Sequence, residues 1–164
     1  MTIRLGQQVM LMMAAVLIAM PAAHAHGTEK QHLLILLGDR TPVRGVWTLK
    51  RTELAEMMGV GPDFEKRAVS KLVAKHFSVA TGGVPRTLRV ESVEVAEPKE
   101  KGFIEVLFVV DSKNERNATP IEIKFDFSGG DHALSPMVAK VIDAEGKTLA
   151  THLLNSKKPQ FRYP

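Results

Sequence analysis

The sequence predicts a mainly β fold, an antiparallel, immunoglobulin-like β-sandwich of about seven to eight strands with a two-helix insert after its first hairpin. Three observations carry this expectation. Apolar residues recur at a spacing of two through most of the chain, and clusters of Gly, Pro and Asp separate these runs. Only the stretch from about 52 to 77 changes to helical spacing. There are no internal repeats and no low-complexity segments.

His32 to Leu37 is a dense apolar run, short enough for a strand buried on both faces. Gly38 to Pro42 is a turn cluster. Val43 to Lys50 then alternates, with Val43, Trp47 and Leu49 on one face and Arg44, Thr48 and Lys50 on the other. The two segments read as a hairpin. Thr52 is placed to cap a short helix over Glu53 to Met58, which Gly59 stops. After the Gly61-Pro62 break, Asp63 caps a stronger helix. Phe64, Ala68, Val69, Leu72, Val73 and His76 form its apolar stripe, and Glu65, Lys66, Lys71 and Lys75 face away.

From Phe77 onward the pattern is again that of strands. Phe77 to Ala80 leads into the Thr81-Gly82-Gly83 turn. Thr87 to Val95 is extended, and its apolar parity shifts between Val90 and Val93, which predicts a bulge. Phe103 to Val110 is apolar on both faces, the mark of a central strand. Ile121, Ile123, Phe125 and Phe127 alternate with Glu122, Lys124 and Asp126, a half-buried strand. Met137 to Ile142 and Thr148 to Leu154 flank a hairpin loop at Asp143 to Lys147, and Phe161 to Tyr163 adds a short last strand. Trp47, Phe125 and Phe127 are core at this spacing.

The start of the chain has a different character. Arg4 supplies a basic n-region, Val9 to Ala22 an apolar h-region, and Ala23-His24-Ala25 a small-x-small cleavage site. Residues 1–25 therefore read as a cleavable signal peptide, leaving 26–164 as one domain with His26 at its new N-terminus. The apolar run is too short and too punctuated for a span, which needs about 20 apolar residues. The expected location is the periplasm, with no membrane span in the mature chain. With no cysteine, the protein has no disulfide, no thiolate metal site and no cysteine for a lipid anchor. Packing alone must hold the domain together. A formal net charge of +4, with basic and acidic residues interspersed, does not make the dense basic face that nucleic-acid binding requires.

The catalytic inventory is thin. The sequence holds no Gly-x-Ser-x-Gly elbow, phosphate loop, His-Glu-x-x-His or dinucleotide glycine pattern. Gly129-Gly130-Asp131 reads as a turn. Histidine alone suggests chemistry. A mature His26 carries a free α-amine beside its imidazole, and these two nitrogens can chelate one metal ion. A third nitrogen, from His132 or His152, would complete a site suited to copper or nickel before zinc. His32 is a further candidate. The amine binds only when deprotonated, and its pKa of about 8 makes such a site pH-dependent. Packing offers plainer roles: a frayed terminus for His26, a ring bonded to a carbonyl for His76, and an edge-of-core position for His152.

Four features carry a resemblance, and a fifth carries a second one. The first three are His26 at the mature start, the Glu53-Leu54-Ala55 helix after the Trp47 strand, and the Asp63 to His76 helix running into Phe77-Ser78-Val79. The fourth is Asp131-His132 before the Met137 to Ile142 strand, and the fifth is the terminal Phe161-Arg162-Tyr163. In this order of elements the chain from His26 onward resembles the periplasmic N-terminal domain of HupE/UreJ-type hydrogenase and urease accessory membrane proteins. It is at least as similar to a family of small exported bacterial proteins with the same order of elements, which end in a short aromatic strand like Phe161-Arg162-Tyr163. The HupE/UreJ type continues into membrane helices, which do not follow here before Pro164, so nickel transport is not carried over. The resemblance implies a stand-alone periplasmic accessory domain that touches a metal or a membrane partner. The sequence thus favours a non-enzymatic binding domain that serves a membrane transport or metal-handling system through protein contacts. A copper or nickel carrier using His26, His132 and His152 is the alternative, and a small hydrolase a distant third.

Overall fold

The computed structural model describes residues 30–38, 42–59, 65–96, 102–111, 119–129 and 132–164. The expected leader and its cleavage site, Asp63, Phe64 and Asp131 lie outside them. The fold is mainly β, with two helices. The strands are β1 (Gln31–Leu36), β2 (Arg44–Lys50), β3 (Phe77–Thr81), β4 (Val84–Val95), β5 (Phe103–Asp111) and β6 (Ile121–Phe125). Next come β7 (Ser128–Gly129), β8 (His132–Ala133), β9 (Met137–Ile142), β10 (Thr148–Leu154) and β11 (Gln160–Tyr163). Helices α1 (Arg51–Met58) and α2 (Lys66–His76) fill the connection from β2 to β3.

The sandwich expectation gives way to a different arrangement. Nine strands form one nearly closed sheet in the order β10-β9-β1-β2-β5-β4-β3-β6-β11, with β7 and β8 as a separate ribbon. The physical reason lies in β4. A register shift between Val90 and Ser92 bends this strand at Glu91. Its first three residues, Val84 to Arg86, pair with β3, and Thr87 to Val95 pair with β5 on both sides of the bulge, so one long strand joins the two parts of the ladder. Two facing sheets therefore never separate. The sheet is also mixed, because β1 lies antiparallel to β2 but parallel to β9. The two-residue strands of the β7–β8 ribbon carry no periodicity and have no counterpart among the segments read as strands.

Local sequence explains most elements. Gly59 closes α1 in the left-handed conformation, at φ 63°, where its N–H meets the last carbonyls of the helix. The expected Thr52 cap is not used. α1 starts at Arg51, and its N-terminal flank Lys50 makes no side-chain cap. The N-terminal flank of α2 is Glu65, again without a side-chain cap. Asn155 closes the β10–β11 connection by accepting the N–H groups of Lys157 and Lys158 at 2.9 Å each.

The core lies inside the curve of the sheet. Trp47, Phe108, Phe125, Ile35 and Leu49 are fully buried, and Leu54, Val69, Leu72 and Val73 of the helices join them. Aromatic rings dominate its centre. Trp47 meets Phe77 edge-on at 5.1 Å, and Phe77 lies 4.7 Å from Phe125. One polar chain crosses this core. The Trp47 indole donates to Gln31 Oε1 at 2.8 Å, and Gln31 Nε2 donates to Glu53 Oε1 at 2.8 Å. The Ser135 N–H donates to the same Glu53 oxygen at 2.9 Å. The chain thereby ties β1, β2, α1 and the approach to β9 together and gives the buried Trp47 and Gln31 side chains their partners.

Candidate functional site

Residues opposite one another in register share a face of the sheet, so the pairing defines the outer surface directly. One row runs Leu153, Val138, His32, Thr48, Glu105 and Glu94 across six strands. The next runs Thr151, Lys140, Leu34, Val46, Leu107 and Ser92. A third runs Ile142, Leu36, Arg44, Val109 and Arg89. Both helices pack on the opposite, core side. Leu34, Leu36, Leu107 and Val138 are only half-buried on this outer face, and Leu149 and Leu153 of β10 are 39% and 50% exposed.

Charge is distributed unevenly around the leucines. On the β1–β9 side stand Lys30 and Lys140. Burial first, then these two ammonium groups, hold the His32 imidazole below its ordinary value. On the β5–β4 side Glu105 faces Glu94 directly across the ladder. Desolvation, and secondly that neighbouring carboxylate, push Glu105 above the usual carboxylate range. The face is thus an apolar band with a cationic flank on the β1–β9 side and a mixed flank on the other, where the Glu94–Glu105 pair stands on the same face as Arg44 and Arg89.

The histidines named from the sequence fall on separate parts of the chain. His26 lies outside the described residues. His132 sits on the β7–β8 ribbon, opposite Gly129. His152 belongs to β10, and its ring stacks on Phe161 of β11 at 4.6 Å and 15°. This stack bridges the two edge strands where the sheet comes nearest to closing, a packing role for the imidazole. Among the described residues no group of three His, Cys, Asp or Glu could hold a metal ion. His76 fulfils its plainer expectation: its Nδ1–H donates to the Asp126 carbonyl at 2.7 Å.

The outer face was missed because an all-apolar run such as Leu33 to Leu37 reads as doubly buried. The usable signal was present all the same. Leu34 and Leu36 fall on the opposite parity from Leu33 and Ile35, and only the latter pair is filled by this chain's own core. The chain matches no protein-family model, no curated protein and no solved structure.

Proposed function

We propose that this chain is an exported, non-enzymatic accessory domain that holds a membrane-anchored protein partner against the outer face of its sheet. One observation carries the reading. Strands β1 and β5 have the composition of strands covered on both sides, yet on their outer faces Leu34, Leu36 and Leu107 are only half-buried, while Val109 at the end of the band is buried. A contiguous apolar band on a protein of this size is characteristic of an interaction surface. The flanking charges favour a partner whose apolar ridge is bordered by acidic groups opposite Lys30 and Lys140, and by basic groups opposite Glu94 and Glu105. The leader-like start and the resemblance to periplasmic accessory domains support a partner in the membrane rather than in solution.

The test places a photo-crosslinking amino acid at Leu34 or, as a control, at Lys147 in the β9–β10 loop of the exported protein. The reading expects one adduct of fixed size in the membrane fraction from position 34 and none from 147. Leu107→Lys, which sets a charge in the middle of the band, should abolish it. Adducts joining two copies of the chain would overturn the proposal in favour of self-association, and absence of any adduct would overturn it outright. Mass spectrometry of the same material should find His26 at the N-terminus. An intact leader in the cytosol would remove the export half of the reading.

A further inference from the structure

A second feature lies away from the outer apolar band, where the end of α2 meets β6 and the turn before β11. A hollow of about 630 Å³ opens there, lined by Lys75, His76, Ser78, Lys124, Asp126 and Ser156 among others. That volume suits a small ligand. His76 is 3% exposed, and its Nδ1–H is fixed on the Asp126 carbonyl. A carbonyl can only accept, so Nδ1 carries a proton, and Nε2 is the nitrogen that holds the lone pair in the corresponding tautomer. Among the described residues Nε2 has no hydrogen-bond partner. A locked, buried ring with one free nitrogen, set in the wall of a hollow, is an arrangement that packing alone does not require.

The rest of the lining fixes the chemistry of the ligand. Lys75 and Lys124 are exposed and make no ion pair among the described residues. The Asp126 carboxylate is already engaged: Ser128 N–H donates to Oδ1 at 2.9 Å and Ser128 Oγ to Oδ2 at 2.8 Å. Those two bonds, chiefly, hold this carboxyl below its usual range, with His76 and Lys75 adding to the effect. The carboxylate therefore serves the turn, and its single negative charge is outnumbered by two ammonium groups. A metal does not fit, since His76 and Asp126 are too few ligands.

We propose that this hollow binds a small ligand through an oxyanion group of the phosphate type. Lys75 and Lys124 supply its counter-charge, and the Ser78 and Ser156 hydroxyls donate to it. His76 Nε2 accepts from a protonated phosphate oxygen or, after taking up a proton, donates to an ionised one. The group belongs either to a free phosphate compound or to a phospholipid headgroup, and the experiment separates the two.

Inorganic phosphate is titrated into the ¹⁵N-labelled protein at constant ionic strength. Saturable amide shifts confined to residues 75–78, 124–128 and 156 are expected, together with a shift of the His76 Nε2 resonance. Lys124→Gln and Lys75→Gln, both at exposed positions, should each weaken binding by about tenfold, the loss expected for one charge-assisted contact. Lys147→Gln should change nothing. Sedimentation with phosphatidylglycerol vesicles, with phosphatidylcholine as control, forms the second arm. Vesicle binding that Lys124→Gln removes assigns the site to a headgroup, and phosphate binding without vesicle binding assigns it to a soluble compound. No saturable shift up to about 50 mM phosphate, with no vesicle binding, would overturn the proposal. Equal weakening by Lys147→Gln would do the same, by exposing a diffuse charge effect.

Discussion

Replacing Gly45 with alanine probes the tightest packing in the sheet. Gly45 on β2 stands directly opposite Phe108 on β5, and both are buried. A Cβ built on Gly45 falls inside the Phe108 ring; three ring atoms lie too close for any real contact, including Cε1 at 2.8 Å. The ring cannot swing aside freely, because Phe77 lies 5.5 Å from it and the Phe108 side chain is 0% exposed. Two effects then oppose each other. Alanine restricts the unfolded chain more than glycine does, which by itself would stabilise the fold by about 0.4–1 kcal/mol. Overpacking a filled core costs about 1–3 kcal/mol. The second wins, so Gly45→Ala should lower stability by a net amount of about 1–2 kcal/mol. Urea unfolding followed by the fluorescence of Trp47, the single tryptophan, measures this directly. The double variant Gly45→Ala/Phe108→Leu gives the sharper result. Phe108→Leu alone leaves a void, which the alanine methyl then partly occupies, so the pair should be more stable than the summed single losses by at least about 1 kcal/mol. Simple additivity, or a stabilising Gly45→Ala, would refute the proposed overlap.

Two further perturbations test the polar chain and the outer face. Trp47→Phe removes the donor to Gln31 Oε1 at a site where Gln31 is 1% exposed, so it should cost about 1–3 kcal/mol beyond the lost ring area, read by circular dichroism in urea. A further Gln31→Met in that background should recover part of the loss, whereas continued decline would show that the Gln31–Glu53 bond matters more. Glu105→Gln should stabilise the protein by a few tenths to roughly 1 kcal/mol at neutral pH, by removing a half-buried charge opposite Glu94. The sign follows from linkage: a raised folded-state value means that the native protein holds this proton more tightly than the unfolded chain. Stability from Glu105 is therefore present below about pH 4.5 and is lost as pH rises through the elevated folded value. The gap between variant and parent should open over that interval and vanish below it, and a gap independent of pH would contradict the assignment.

How much of this could be read from the chain depends on whether the information is local. Gly59 as a helix stop, the bulge in β4 and the Asp143–Lys147 hairpin are each fixed by a handful of neighbouring residues, and each is present. The inward parity of Trp47, Leu49, Ile121, Ile123 and Phe125 was equally legible, because a spacing of two survives any choice of strand partner. Topology was not legible. Nothing near Gln31–Leu36 announces that Met137–Ile142 will lie parallel beside it, more than a hundred residues later in sequence. The β4 bulge was legible as a local irregularity, but that β4 changes partner from β3 to β5 between Arg86 and Thr87, which joins the strands into one sheet, depends on strands distant in sequence. The same limit applies to the hollow at His76. Lys75 and His76 are adjacent in sequence, yet Lys124 and Ser156 reach them only through the pairing of β3 with β6 and of β6 with β11.

The outer leucines follow from the same separation between local pattern and assembled structure. A strand's composition records every environment the strand must finally occupy, including those supplied by other molecules. The inner face of β1 needs Leu33 and Ile35, which are 1% and 0% exposed, and the core they enter is complete without help from Leu34 or Leu36. Polar residues at those two positions would therefore serve folding as well or better, since half-exposed leucines contribute little burial and raise the risk of aggregation. Glu105 adds to the argument, because an acid set half-buried against Glu94 costs stability that a threonine would not. Two features on one face that each work against the isolated fold are best explained by a use for that face. Ridge contacts with a partner would bury the leucines, and a basic group on that partner would relieve the Glu94–Glu105 repulsion in the same step.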